Sequence, residues 1–173
     1  MTLSKIFGTL VSCASLLIAV GAPALANATS LNSEQEASLK KSAIQVKEAV
    51  LDRNVDQLMS FINPEGVLSA SGDEEISYAI VEKDLKQTKG TIYCGIWGGY
   101  PRKNHSIFEG FKRYEKLGLA PRITVEPNQS GADIIAVVTY TPSKPSRKKF
   151  TGMPHAEWIW RATKGWKMLT IFD

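Results

Sequence analysis

The sequence predicts an α+β fold, with N-terminal helices packed on a curved, mainly antiparallel β-sheet formed by the end of the chain. Three observations predict it. Apolar residues recur every three or four positions from Leu39 to about Arg53, behind a capping-box pattern. The last third holds four stretches rich in β-branched and aromatic residues. Helical and strand-like segments do not alternate as βα units, which a parallel sheet requires.

Each element follows from local chemistry. Ser33-Glu34-Gln35-Glu36 reads as a capping box, with the Ser33 oxygen accepting from the Glu36 amide. Leu39, Ala43, Val46 and Val50 then form the apolar stripe of the first helix. Asn54 is placed to cap a short second helix carrying Val55, Leu58, Met59 and Ile62, ended by Pro64-Glu65-Gly66. A strand from Val67 to Ala70 meets the polar turn Ser71-Gly72-Asp73-Glu74. Ser77 opens a helix with Ile80, Val81 and Leu85, for which Gly90 is the expected stop. Thr91 to Trp97 alternates as a strand. Ser106-Ile107-Phe108-Glu109 is a second capping box, opening a helix with Phe108, Phe111 and Tyr114 that Gly118 and Pro121 close. Strands are expected over Ile123 to Glu126, Ala132 to Thr141, His155 to Ala162 and Trp166 to Phe172. Thr163-Lys164-Gly165 is the tight turn joining the last two.

Ahead of this domain, Lys5 precedes an uncharged apolar run from Ile6 to Val20, the breaker Gly21-Ala22-Pro23 and the small residues Ala24 to Ala28. A positive start, an apolar centre and an A-x-A site read as a cleaved signal peptide over residues 1–28. The expectation is a periplasmic or secreted protein with one domain over 29–173. The apolar run is too short and too interrupted to span a bilayer. Leu10-Val11-Ser12-Cys13 offers lipidation of Cys13 as a rival, but the apolar stretch lies mostly after that cysteine, the wrong order for such processing. Cleavage leaves Cys94 as the one thiol, so no internal disulfide is expected and packing alone stabilises the domain.

Composition narrows the function. The formal net charge is +4. Acidic residues prevail up to Leu85 and basic ones after it, which reads either as a basic face toward anionic envelope material or as halves that neutralise each other. Nucleic acid is not an expected partner, because the chain reads as exported and carries no binding motif for it. The two histidines, His105 and His155, lie far apart and no Cys/His spacing resembles a metal motif, so no metal and no cofactor are expected. There is no phosphate-binding loop, no G-x-S-x-G elbow and no H-E-x-x-H.

The early helix pair, the middle helices and the closing hairpin Trp158-x-Trp160…Gly165-Trp166-Lys167-Met168-Leu169-x-Ile171-Phe172 resemble the NTF2-like (SnoaL-type, cystatin-like) α+β cone. The resemblance covers roughly Ser33 to Asp173. It implies a curved sheet around a concave pocket, and association as a homodimer is common among members. Members include isomerases, dehydratases, polyketide cyclases and non-catalytic binding domains, so the fold does not choose the function. None of the superfamily's catalytic dyads matches residues of this chain.

Candidate chemistry gathers in three places. His155, Glu157 and Arg161 share one face of a strand, where His155 would act as general acid/base, Glu157 would orient it and Arg161 would hold an anionic ligand. The competing reading is an ordinary solvated sheet face. Trp158 and Trp160 point to the opposite face and, with Trp97 and Trp166, suit either a ligand-binding aromatic wall or core filling. Lys144, Arg147, Lys148 and Lys149, in a stretch that also holds Pro142 and Pro145, form a basic loop that fits an anionic envelope surface or an acidic partner, or else only discourages edge pairing. Cys94, between Ile92 and Ile96 on the expected strand, reads as buried and unreactive. The sequence therefore points to an exported binding domain of the bacterial cell envelope, acting without catalysis on a small-molecule ligand or envelope protein. The alternative is a small hydrolase or isomerase using the His155/Glu157 pair.

Overall fold

A computed structural model describes residues 30–69, 74–99, 106–126, 134–144, 158–162 and 165–171. Residues 1–28, the cations Arg147, Lys148 and Lys149, and the pair His155 and Glu157 lie outside these. The described residues form helices and antiparallel sheets, an α+β arrangement.

Helix α1 (Ser33–Leu51) buries Leu39, Ala43, Val46, Ala49 and Val50, the stripe read from the sequence. Each of the larger aliphatic side chains contributes ~1.5–3 kcal/mol by leaving water. Its cap sits one residue earlier than expected: Asn32 accepts from the Gln35 amide at 2.8 Å, and the Gln35 side chain accepts from the Asn32 amide at 3.0 Å. Asn is at least as good a cap as Ser, and Gln35 completes the box as Glu36 would have. Asn54 caps the short α2 (Val55–Met59), as read.

Strands β1 (Val67–Leu68) and β2 (Glu75–Ile76) pair antiparallel. Helix α3 (Tyr78–Gln87) follows, buries Val81 and Leu85, and ends at Thr88 in the left-handed region (φ 56°), two residues before the expected Gly90. Thr91 to Trp97 is not a strand. It is a helix, α4 (Thr91–Trp97), burying Cys94, Gly95, Ile96 and Trp97. The Asp84 carboxylate of α3 accepts from the amides of Ile92 (3.4 Å) and Tyr93 (2.8 Å), satisfying two of the N–H groups that a helix start leaves open. Gly90 makes this possible, because a Cβ there would overlap the Asp84 carboxylate. Tyr93 and Trp97 meet one helical turn apart with ring centroids 5.0 Å apart.

Helix α5 (Ile107–Tyr114) starts at Ser106, whose oxygen accepts from the Glu109 amide, and runs through a 3-10 turn (Glu115–Leu117) to Gly118 at φ 65°. The main sheet has the order β3 (Leu119–Glu126), β4 (Ile135–Pro142), β5 (Trp158–Arg161), β6 (Lys167–Met168), all antiparallel. β3 starts before Pro121 rather than after it. An edge strand tolerates proline because no neighbour needs that missing N–H. Beside β6, the segment around Ile62 to Leu68 makes parallel bridges to Met168 and Thr170, so the small hairpin is joined to the large sheet.

Period-two burial in β4 sends Ala136, Val138 and Tyr140 inward, and the register places Trp160 opposite Ala136 on that face. These residues join the α1 stripe, Phe111, Ile96 and Met168 in one core. Three buried or half-buried rings fasten α1 to it by polar tips. Tyr140 Oη donates to the Ala43 carbonyl (2.6 Å), Trp97 Nε1 to Val50 (2.8 Å) and Trp166 Nε1 to Gln35 (3.1 Å). Burial pushes the Tyr140 phenol well above its ordinary range, so it is held as a proton donor.

Candidate functional site

One concavity among the described residues is built from several elements and does not include Arg161. It is a cleft of about 380 Å³ between the β1–β2 hairpin, α3, α4 and the last segment of chain. β1 and β2 contribute Val67, Leu68, Glu75 and Ile76; α3 contributes Ile80 and Asp84; α4 contributes Thr91 and Ile92; Ile171 closes one side. The volume sits at the low end for small-molecule sites, which run ~300–1,000 Å³.

The hairpin wall is fixed by backbone bonds. The Ser69 amide donates to the Glu74 carbonyl at 2.7 Å, and the Leu68 amide donates to Leu169 at 2.7 Å. Gly66, at φ 120°, passes so close to β2 that a Cβ would sit 2.9 Å from the Ile76 carbonyl oxygen. The opposite wall is fixed by Asp84, which ties α3 to α4. Leu68 and Ile80 are 40% and 57% exposed, more than any other described large hydrophobic, and both line the cleft. Exposed aliphatic side chains facing a concavity carry surface that a ligand can cover.

Glu74, Glu75 and Asp84 stand on the same walls, and no Lys or Arg lines the cleft among the described residues. Among those residues no group of three or more His, Cys, Asp or Glu is arranged to hold a metal. A second, more open groove of about 430 Å³ runs between Ser30, Leu31 and Glu36 and the β3 residues Arg122 to Val125.

The sequence-predicted residues are distributed differently. Trp160 is completely buried, packs edge-to-face on Phe61 at 6.2 Å and lines neither concavity. Trp97 and Trp166 are buried too, so three of the four tryptophans fill the core. Arg161 lies on the other face of β5, with Nη1 3.4 Å from the Glu65 carboxylate, where it also lines neither concavity. Strand β5 includes Trp158, paired with Val138. Lys144 is exposed just after β4, its amide bonded to the Leu117 carbonyl at 3.1 Å. Cys94 is 7% exposed, its sulfur 4.0 Å from the Lys89 carbonyl oxygen. The His155–Glu157 pair and the rest of the basic loop fall outside the described residues.

Two of the cleft residues, Ile80 and Leu68, carry a local signal in the sequence. On α3, Val81 and Leu85 lie four apart on the buried face, whereas Ile80 falls off that face. Leu68 follows Val67 on a strand, so alternation turns it away from the core. No family model matches the chain, and no curated protein matches it. No helix among the described residues is long and apolar enough to cross a membrane.

Proposed function

We propose that the protein is an exported, non-enzymatic binding domain of the bacterial cell envelope, and that its binding site is the cleft between the β1–β2 hairpin, α3 and α4. The observation that carries this reading is the exposed aliphatic pair Leu68 and Ile80 on the walls of a concavity of about 380 Å³. Export rests on the leader pattern over residues 1–28. The finer fold reading belongs with it: a curved NTF2-like cone, a superfamily in which binding domains without catalysis are common and dimers occur. In this reading the basic loop of Lys144, Arg147, Lys148 and Lys149 is an auxiliary contact to anionic envelope surfaces.

The test uses a neutral apolar dye, N-phenyl-1-naphthylamine, whose emission rises when it leaves water. The full-length protein is expected to enhance it, and Leu68→Asp with Ile80→Asp to reduce binding at least fivefold with the unfolding midpoint retained. Both side chains are already solvated, so the substitutions leave the core intact. Dye binding that is absent, or unchanged in the double variant, would remove the cleft as the site. Retention of the protein in the cytoplasm of its host would remove the export half.

A further inference from the structure

The charge on the cleft walls selects a class of ligand. We infer that the cleft takes a small aliphatic molecule bearing an ammonium or other organic cation, its chain along the aliphatic residues and its charge at the Glu74–Glu75 rim. This inference rests on the cleft being the binding site and names what occupies it.

The argument has three parts. The cavity itself makes the site: Val67, Ile76, Ile80 and Ile92 offer an aliphatic lining that an alkyl chain can cover. The carboxylates then choose the chemistry. Asp84 is engaged by the α4 amides, whereas Glu74 and Glu75 are exposed and make no ion pair with any described residue. A chain of net charge +4 has thus placed three carboxylates and no Lys or Arg on the described walls of this cleft. Low-dielectric walls focus such a field toward a cation and repel an anionic ligand. Finally, Glu74, Glu75 and Asp84 form no metal-holding group among the described residues. A hydrated metal ion needs converging oxygens, whereas an alkylammonium needs one or two carboxylates beside an apolar wall.

The experiment compares three probes of one chain length on the full-length protein: hexylamine, hexanol and hexanoate, each titrated against amide chemical shifts of the cleft residues. Hexylamine is expected to bind at least fivefold more tightly than hexanol, with hexanoate weakest. Raising salt from low to high ionic strength should narrow the gap, because exposed charges are screened. Glu74→Gln with Glu75→Gln should bring the amine to the level of the alcohol while leaving alcohol binding unchanged; both side chains are at the surface, so the fold is retained. Equal binding of all three probes, or preference for hexanoate, would overturn the cation assignment while leaving the cleft as an apolar site. Binding of none of them, together with loss of the dye signal, would instead overturn the cleft as a site.

Discussion

Helix α4 and strand β5 are both short, apolar and rich in β-branched and aromatic residues, yet one became a helix and the other a strand. Thr91-Ile92-Tyr93-Cys94-Gly95-Ile96-Trp97 has the composition of a strand, and Trp158-Ile159-Trp160-Arg161 has it too. The difference lies in what satisfies the backbone. β5 lies between β4 and β6, which supply its ladder bonds on both sides. α4 pairs with no strand among the described residues; amides of its first turn meet the Asp84 carboxylate, and later N–H groups find carbonyls within the helix. Propensity differences of a few tenths of a kcal/mol per residue are small against unpaired buried amides at ~1–3 kcal/mol each. For a short apolar segment, the available partner decides.

The largest expected effect tests the strand side of that comparison. Trp160→Ala removes a completely buried indole from the junction of β5, β6 and Phe61, and should destabilise the protein by ~3–5 kcal/mol in urea unfolding. A loss below about 1 kcal/mol would mean that β5 is not anchored through its core face. Trp160 Nε1 finds no hydrogen-bond partner among the described residues, so replacement by Phe should cost much less than replacement by Ala.

An intermediate effect tests the helix side. Asp84→Ala removes the carboxylate from the α4 amides and should cost ~1–2 kcal/mol, as loss of a helix cap does. Faster hydrogen exchange at Ile92 and Tyr93 than elsewhere would locate the loss. Unchanged exchange there would show that α4 is held by burial of Ile96 and Trp97 alone. Asp84→Asn keeps an accepting oxygen and should recover part of the stability.

The smallest effect concerns the bond between α1, to which Trp97 of α4 donates, and β4, the strand paired with β5. Tyr140→Phe keeps the ring against Phe111 and deletes the donation to Ala43, for a loss of ~1 kcal/mol. It also changes the pH dependence. The folded phenol holds its proton above the ordinary tyrosine value of 10.0, so the unfolded chain is the better proton releaser at alkaline pH. The stability Tyr140 contributes is therefore fully present below about pH 10 and is lost as pH rises beyond it, at up to ~1.4 kcal/mol per pH unit. The phenylalanine variant should show a shallower alkaline decline by that one proton. Identical slopes would mean that Tyr140 is ionised or solvated in the folded protein.

Much of the fold was legible because long periodic segments carry their own evidence. The α1 stripe, the Asn54 and Ser106 caps and the alternation of β4 are local patterns, each written within a dozen residues. The errors share one character. Asn32 replaced Ser33 as the first cap because two good capping residues stand side by side and only the chain's approach chooses between them. Thr91 to Trp97 is a helix rather than the expected strand, and its cap comes from Asp84, a residue of another helix. Thr88 rather than Gly90 ends α3 because Gly90 is needed where the Asp84 carboxylate passes. All three follow from contacts with no sequence period.

The site divides in the same way. Residue types suited to binding were visible on the strand carrying His155, Glu157 and Arg161, in the tryptophans and in the basic loop. The cleft draws instead on Leu68, Glu75, Ile80 and Ile92, scattered over four elements and none of them part of a motif. By itself the sequence determined the helical stripe, the strand-rich end and the leader pattern, because periodicity, capping and segment length act over one element. Only the tertiary structure decided that α4 is a helix, that Trp160 is core, and that aliphatic and acidic side chains share a cleft. Those outcomes depend on which groups meet across the chain, and the closing of backbone hydrogen bonds and the exclusion of water are settled where they meet.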